Sequence, residues 1–146
     1  MLRSFRQFAS IIALMVVAAV VLAACGGGTA AQAAKKPVEV QVTLLEFKIE
    51  SSLTTFSTGV PYHFVVTNQG SVNHEFAIMP PVTGEVAPEQ VQKMALARIS
   101  EDELPPGATK TLDYTFTQAA PAGKLEFACH LPGHYEAGMH LPIVVQ

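Results

Sequence analysis

The chain has no Cys-x-x-Cys pair, no Met-rich or His-rich tract and no cluster of basic residues. The missing dithiol leaves a thiol enzyme only Cys129 with His130 or His134, and that pairing gives no reason for the spacing to Met139 discussed below. From Val38 onward only five basic residues (Lys48, Lys93, Arg98, Lys110 and Lys124) stand against twelve acidic ones, a net charge of −7. That balance offers no basic surface for nucleic acid. It suits an encounter with a basic partner, at a rate that falls with salt. The apolar stretch from Ala9 to Leu22 is shorter than the roughly 20 residues a transmembrane helix needs. The positive mean hydropathy of the chain comes largely from this stretch, so it does not signal a membrane-embedded fold.

That stretch follows Arg3 and Arg6 and ends at Leu22-Ala23-Ala24-Cys25, which looks like a bacterial lipobox. The two arginines are not adjacent, which fits the general secretion route rather than a twin-arginine one. Residues 1–24 are expected to be a lipoprotein signal peptide. Residues 25–37 are expected to be a flexible tether, because Gly26-Gly-Gly-Thr-Ala-Ala-Gln-Ala-Ala-Lys-Lys-Pro37 contains nothing to build a core. Residues 38–146 then form one small domain. With lipid on Cys25, the protein is expected to be extracytoplasmic and anchored to the bacterial cell membrane. The chain has two cysteines. If Cys25 carries lipid, Cys129 is an unpaired thiol in an oxidising compartment, where metal ligation would explain it.

The domain alternates in twos. Val38, Val40, Val42 and Leu44 share a strand face. Tyr62, Phe64 and Val66 share another, in a strand closed by Asn68-Gln-Gly70. Phe76 with Ile78, Leu112 with Tyr114 and Phe116, and Leu125 with Phe127 repeat the pattern, and Ile143-Val-Val145 ends the chain. Repeated short strands of this kind predict an all-β sandwich or barrel. One segment breaks the pattern. Pro88 to Arg98 opens on proline, carries acid early and base late, and predicts a short helix with Val91, Met94 and Ala95 on one side. The acidic run Glu101-Asp102-Glu103 reads as a solvated loop.

The densest chemistry lies in Cys129-His-Leu-Pro-Gly-His134-Tyr-Glu-Ala-Gly-Met139, where a thiolate, an imidazole and a thioether recur at five-residue steps. Soft sulfur with imidazole suits copper, and two His and one Cys with a weak axial Met form the blue-copper arrangement. His74 supplies the second imidazole. Alternation aims it inward with Phe76 and Ile78, and aims Cys129 inward with Leu125 and Phe127. The two can therefore meet at one pole of a sandwich, with Pro132, Gly133 and Gly138 turning the loop back. His63 falls on the opposite face from Tyr62 and Phe64. His130 is turned outward by the same alternation, and His140 is expected near the pole and exposed.

The C-x4-H-x4-M segment resembles the copper loop of the cupredoxins, most nearly that of rusticyanin and sulfocyanin, and the likeness is close over about the last 18 residues. The resemblance implies a Greek-key β-sandwich holding one copper, cycling between Cu(I) and Cu(II), on His74, Cys129, His134 and Met139. It implies an electron carrier that catalyses no reaction on a bound substrate. The expected electron port is the solvent edge of His134, ringed by Leu131, Pro132, Tyr135 and Leu141. Its partners are expected to be redox proteins of cytochrome or oxidase type that dock transiently on a monomer, besides membrane lipid through Cys25. A copper-handling role, as chaperone, buffer or resistance protein, is the alternative. The pattern departs from the family at one position. Azurin and plastocyanin usually carry Asn after the first His, bonded across to the Cys loop, and here that residue is Glu75.

Overall fold

The computed structural model describes residues 36–82 and 87–146. The expected signal peptide, the lipobox Cys25 and nearly all of the tether lie outside the described residues. Two sheets pack face to face. The first, in the order β2-β1-β4-β7, is built from β1 (Val38–Leu45), β2 (Lys48–Ser51), β4 (Pro61–Asn68) and β7 (Thr109–Thr115). The second, in the order β3-β9-β8-β5-β6, comprises β3 (Thr55–Phe56), β5 (Phe76–Met79), β6 (Ala97–Ile99), β8 (Ala120–Ala128) and β9 (His140–Val145). The pairings β1–β4 and β3–β9 are parallel and the others antiparallel. Among the described residues no helix is long and apolar enough to cross a membrane.

The period-two reading places the core. In β4 the buried residues are Tyr62, Phe64, Val66 and Asn68, with half-buried residues between them. Val40, Val42 and Leu44 of β1 lie beside them, facing Phe76, Ile78, Leu125, Phe127, Ile143 and Val145 of the other sheet. Phe56, Tyr62, Phe64, Phe76, Phe116 and Phe127 form one aromatic cluster with neighbouring ring centroids 5.0 to 6.3 Å apart. Each buried ring contributes roughly 1.5–3 kcal/mol of hydrophobic stabilisation.

Two strands break the alternation, and what covers them explains it. All four residues of β5 are buried, and so are Leu125 to Ala128 of β8. On the outer side Ala77, Met79 and Ala128 pack with Val91 from the helix α1 (Pro88–Met94), and with Val82, Ala95 and Tyr135. The helix is shorter than the sequence predicts. It stops at Met94 because Ala95 is extended (φ −66°, ψ 130°), and Ala97 to Ile99 pair with β5 instead. Sheet pairing overrides the helical pattern here. Met94, expected on the inner side of the helix, is exposed, and Val91 and Ala95 carry the contact.

Candidate metal centre

His74 is held by the turn that closes β4. The Asn68 side chain donates to the carbonyls of Val72 and Leu104 (both 2.8 Å) and accepts from the Gly70 amide (2.8 Å). The His74 amide donates to the Leu104 carbonyl (3.2 Å). Gly70 is needed for close approach, because a Cβ there would lie 2.7 Å from His74 Nε2. The sequence reading took Asn68 to Gly70 only as a strand terminator, although a buried Asn beside a Gly hints at this scaffold.

Cys129 follows β8 and points into the core, fully buried. The loop beyond it turns at Gly133 (φ 80°) and Gly138 (φ 101°), conformations that side-chain-bearing residues rarely adopt. It closes through backbone bonds. The His134 amide donates to Leu131 (2.9 Å), the Met139 amide to His134 (3.0 Å) and the Cys129 amide to Met139 (3.1 Å). Met139 is buried in the same cluster as Cys129.

The ring and sulfur atoms converge. His74 Nδ1 lies 3.3 Å from His134 Nδ1, and Cys129 Sγ lies 3.4 Å from that same nitrogen. All three donor atoms fall within 4.8 Å of one another. The Glu75 amide also donates to Cys129 Sγ (3.4 Å). Burial pushes the Cys129 thiol up to about 11, and the amides of Glu75 and Leu131 offset only part of that rise. Burial and the neighbouring His134 hold His74 below the usual imidazole range. Two imidazole nitrogens and a buried sulfur that converge on one another make a donor set that fits a soft, imidazole-tolerant cation such as copper.

Glu75, where the resemblance leads to an expectation of Asn, bonds across to the Cys129 loop. Its Oε1 accepts from the His130 amide (2.9 Å), while Oε2 receives Arg98 Nε (2.9 Å) and Nη2 (2.8 Å). The carboxylate is buried, and a buried charge needs partners of this kind. Arg98 reaches it only because β6, not helix, occupies that position.

Around this pole the structure adds to some expectations and corrects others. His130 lies on the outer face of β8, as alternation places it, and is buried there because Tyr135 stacks on it with centroids 4.2 Å apart. Tyr135 does not ring the edge of His134, since its hydroxyl donates to the buried Glu126 (2.7 Å) and its ring stacks on His130 and His140. The aromatic against half-buried His134 is Phe47, which the sequence reading missed. It meets His134 edge-on with centroids 5.3 Å apart, and it is the one non-glycine among the described residues with positive φ (56°). Its position at a tight β1–β2 turn was the available signal. His140 is half-exposed, with Nδ1 3.2 Å from Glu126 Oε2 but not aligned for a hydrogen bond. His63 lies off the core as expected, paired with Asp113 at 2.6 Å. A cavity of about 610 Å³ opens beside the pole, lined by residues including Glu75, Arg98, His130 and Pro132 but by none of His74, Cys129, His134 and Met139.

Solved structures share this architecture. Reduced auracyanin from Roseiflexus castenholzii superposes with a TM-score of 0.54 at 16% identity, covering 76% of this chain and 98% of that one. Rusticyanin from Thiobacillus ferrooxidans superposes with a TM-score of 0.53 at 17% identity, covering 76% and 79%. This is the cupredoxin fold. The donor cluster occupies one pole of that cupredoxin sandwich, where β5 begins and β8 ends. Curated relatives extend the likeness in sequence. The copper-resistant cuproprotein CopI of Rubrivivax gelatinosus is 29% identical over 78% of this chain and 70% of its own length. CopI of Pseudomonas aeruginosa is 28% identical over 80% of each. No family model matches the chain.

Proposed function

We propose that the chain binds one copper ion through His74 Nδ1, Cys129 Sγ, His134 Nδ1 and the Met139 thioether, and serves as an extracytoplasmic blue-copper electron carrier rather than an enzyme. The convergence of two imidazole nitrogens and a buried thiol within 4.8 Å carries this reading. Copper would supply one-electron redox chemistry. The chain's own contribution is a water-poor pole, a soft and imidazole donor set that tolerates both oxidation states, and a single half-exposed ligand ring, His134. Exposed Phe47 against that ring offers an apolar contact suited to brief docking on a redox protein. The pairing of Glu75 with Arg98 balances the carboxylate beside the site, so it has little leverage on the potential. Lipid on Cys25 would hold the domain to the cell membrane.

Copper resistance, named for the CopI relatives, supports a second reading in which the same site handles copper as cargo. Loading the purified chain with Cu(II) tests the site itself. An intense thiolate-to-copper band in the visible is expected, lost in Cys129→Ser and shifted in Met139→Leu, and a colourless, weakly held Cu(II) would refute it. Voltammetry then separates the roles. Reversible cycling with copper retained marks a carrier of electrons, and rapid release of Cu(I) to an apo acceptor marks a carrier of copper.

A further inference from the structure

The five-residue step of the ligand loop carries a second pattern. Each loop ligand is followed by a ring, Cys129 by His130, His134 by Tyr135 and Met139 by His140. The three rings form one stack with Tyr135 in the middle. His130 and Tyr135 lie 4.2 Å apart at 13°, and Tyr135 and His140 lie 4.7 Å apart at 27°. Glu126, only 2% exposed on the outer face of β8, accepts from the Tyr135 hydroxyl at 2.7 Å and faces His140 Nδ1 at 3.2 Å. The His130 amide is pinned separately by Glu75. Hydrocarbon would cover this face of the sheet at lower cost, as Ala77, Met79 and Ala128 do beside it. A buried carboxylate with three polar rings asks for a reason beyond burial.

We propose that the His130–Tyr135–His140 stack is a preorganising layer that holds Cys129, His134 and Met139 in their ligand positions, with Tyr135 as the positioning residue and Glu126 as its anchor. The proposal rests on reading those three residues as copper ligands. Each ring sits one peptide unit from a ligand, so fixing the ring fixes the backbone from which the ligand side chain projects. Offset stacking favours the aligned rings beyond their burial, and the Glu126 bond sets where on β8 the stack rests. The loop then needs no metal to hold its shape.

Hydrogen exchange in the metal-free, full-length chain tests this without relying on copper chemistry. In Tyr135→Leu, the amides of Cys129 and Met139, bonded within the loop, should exchange about tenfold faster relative to the core amide of Phe64. After Cu(II) loading, the thiolate-to-copper band should move and copper affinity should fall roughly tenfold, as when the outer partners of metal ligands are removed. Tyr135→Phe keeps the ring and should restore most of both readouts. Val40→Ala thins the inner core beside Phe64, in a cluster that contains none of the three stacked rings, and should speed exchange at Phe64 and the loop alike. Loop amides that keep pace with Phe64 in Tyr135→Leu, with an unmoved band, would overturn the proposal. If that variant fails to fold, Glu126→Leu, which removes the acceptor of the Tyr135 hydroxyl, is read by the same criterion. A rigid metal-free loop in a chain that binds no copper would refute the ligand reading and leave the preorganised loop standing.

Discussion

The two faces of β8 make the most instructive contrast in the molecule. Leu125, Phe127 and Cys129 point inward, and Glu126, Ala128 and His130 point outward, yet all six are buried. The inner face is hydrocarbon ending in a thiol. The outer face is a carboxylate, a methyl group and an imidazole, covered by α1 and Tyr135. Alternation decides which face a side chain takes, and the elements packed on that face decide whether it meets water. The inner face is held by hydrophobic burial, which tolerates changes of shape at a graded cost. The outer face is held by polar pairing, which fails sharply when one partner is lost.

The largest expected effect lies on the inner face. Phe127→Ala removes a fully buried ring packed against Phe56, Phe64 and Phe76, and should destabilise the metal-free chain by about 3–5 kcal/mol in urea denaturation. A loss under about 1 kcal/mol would mean that the inner face is not the core. On the outer side, Arg98→Met strands the Glu75 carboxylate and should cost about 3 kcal/mol. Adding Glu75→Gln should recover most of that loss, and strictly additive losses in the double variant would show that the pair does not act as a unit.

Acid should probe both faces. Burial lowers the pKa of His74 at the inner pole and of His130 on the outer face. The unfolded chain therefore binds more protons than the folded one just below the ordinary imidazole value of about 6.5, and stability falls as pH drops through that value. Denaturation midpoints that stay level from pH 7.5 to 5.5 would contradict these shifts. Copper uptake should shift the same way. With the Cys129 thiol at about 11, ligation releases a proton at neutral pH, so apparent affinity should weaken about tenfold for each unit of acidification. The smallest effect is on the helix. Met94→Gln should change stability by less than about 0.5 kcal/mol, because Met94 faces solvent.

Much of the core was legible because a period of two needs only residue type, and Val40 to Leu44, Tyr62 to Val66 and Phe127 follow it. The cluster of His74, Cys129 and His134 was legible because the loop spacing and inward parity point to one pole. Three things were hidden for a common reason, which is that cover comes from distant segments. Burial of His130 depends on Tyr135, the end of α1 depends on pairing with β5, and the role of Glu75 depends on Arg98. Strands β2 and β3 were missed because four and two residues are too few to display a period.

One consequence follows from the place of β9. It sits between β3 and β8, joined in parallel to Thr55 and Phe56 and antiparallel to Leu125 through Ala128. Pairing Thr55 with Val144 closes most of the domain into one loop, and such distant partners are slow to meet. The strand that locks β8, and with it Cys129, follows the other described strands in chain order. The donor pole therefore takes its final shape only once these distant partners have met, late in folding.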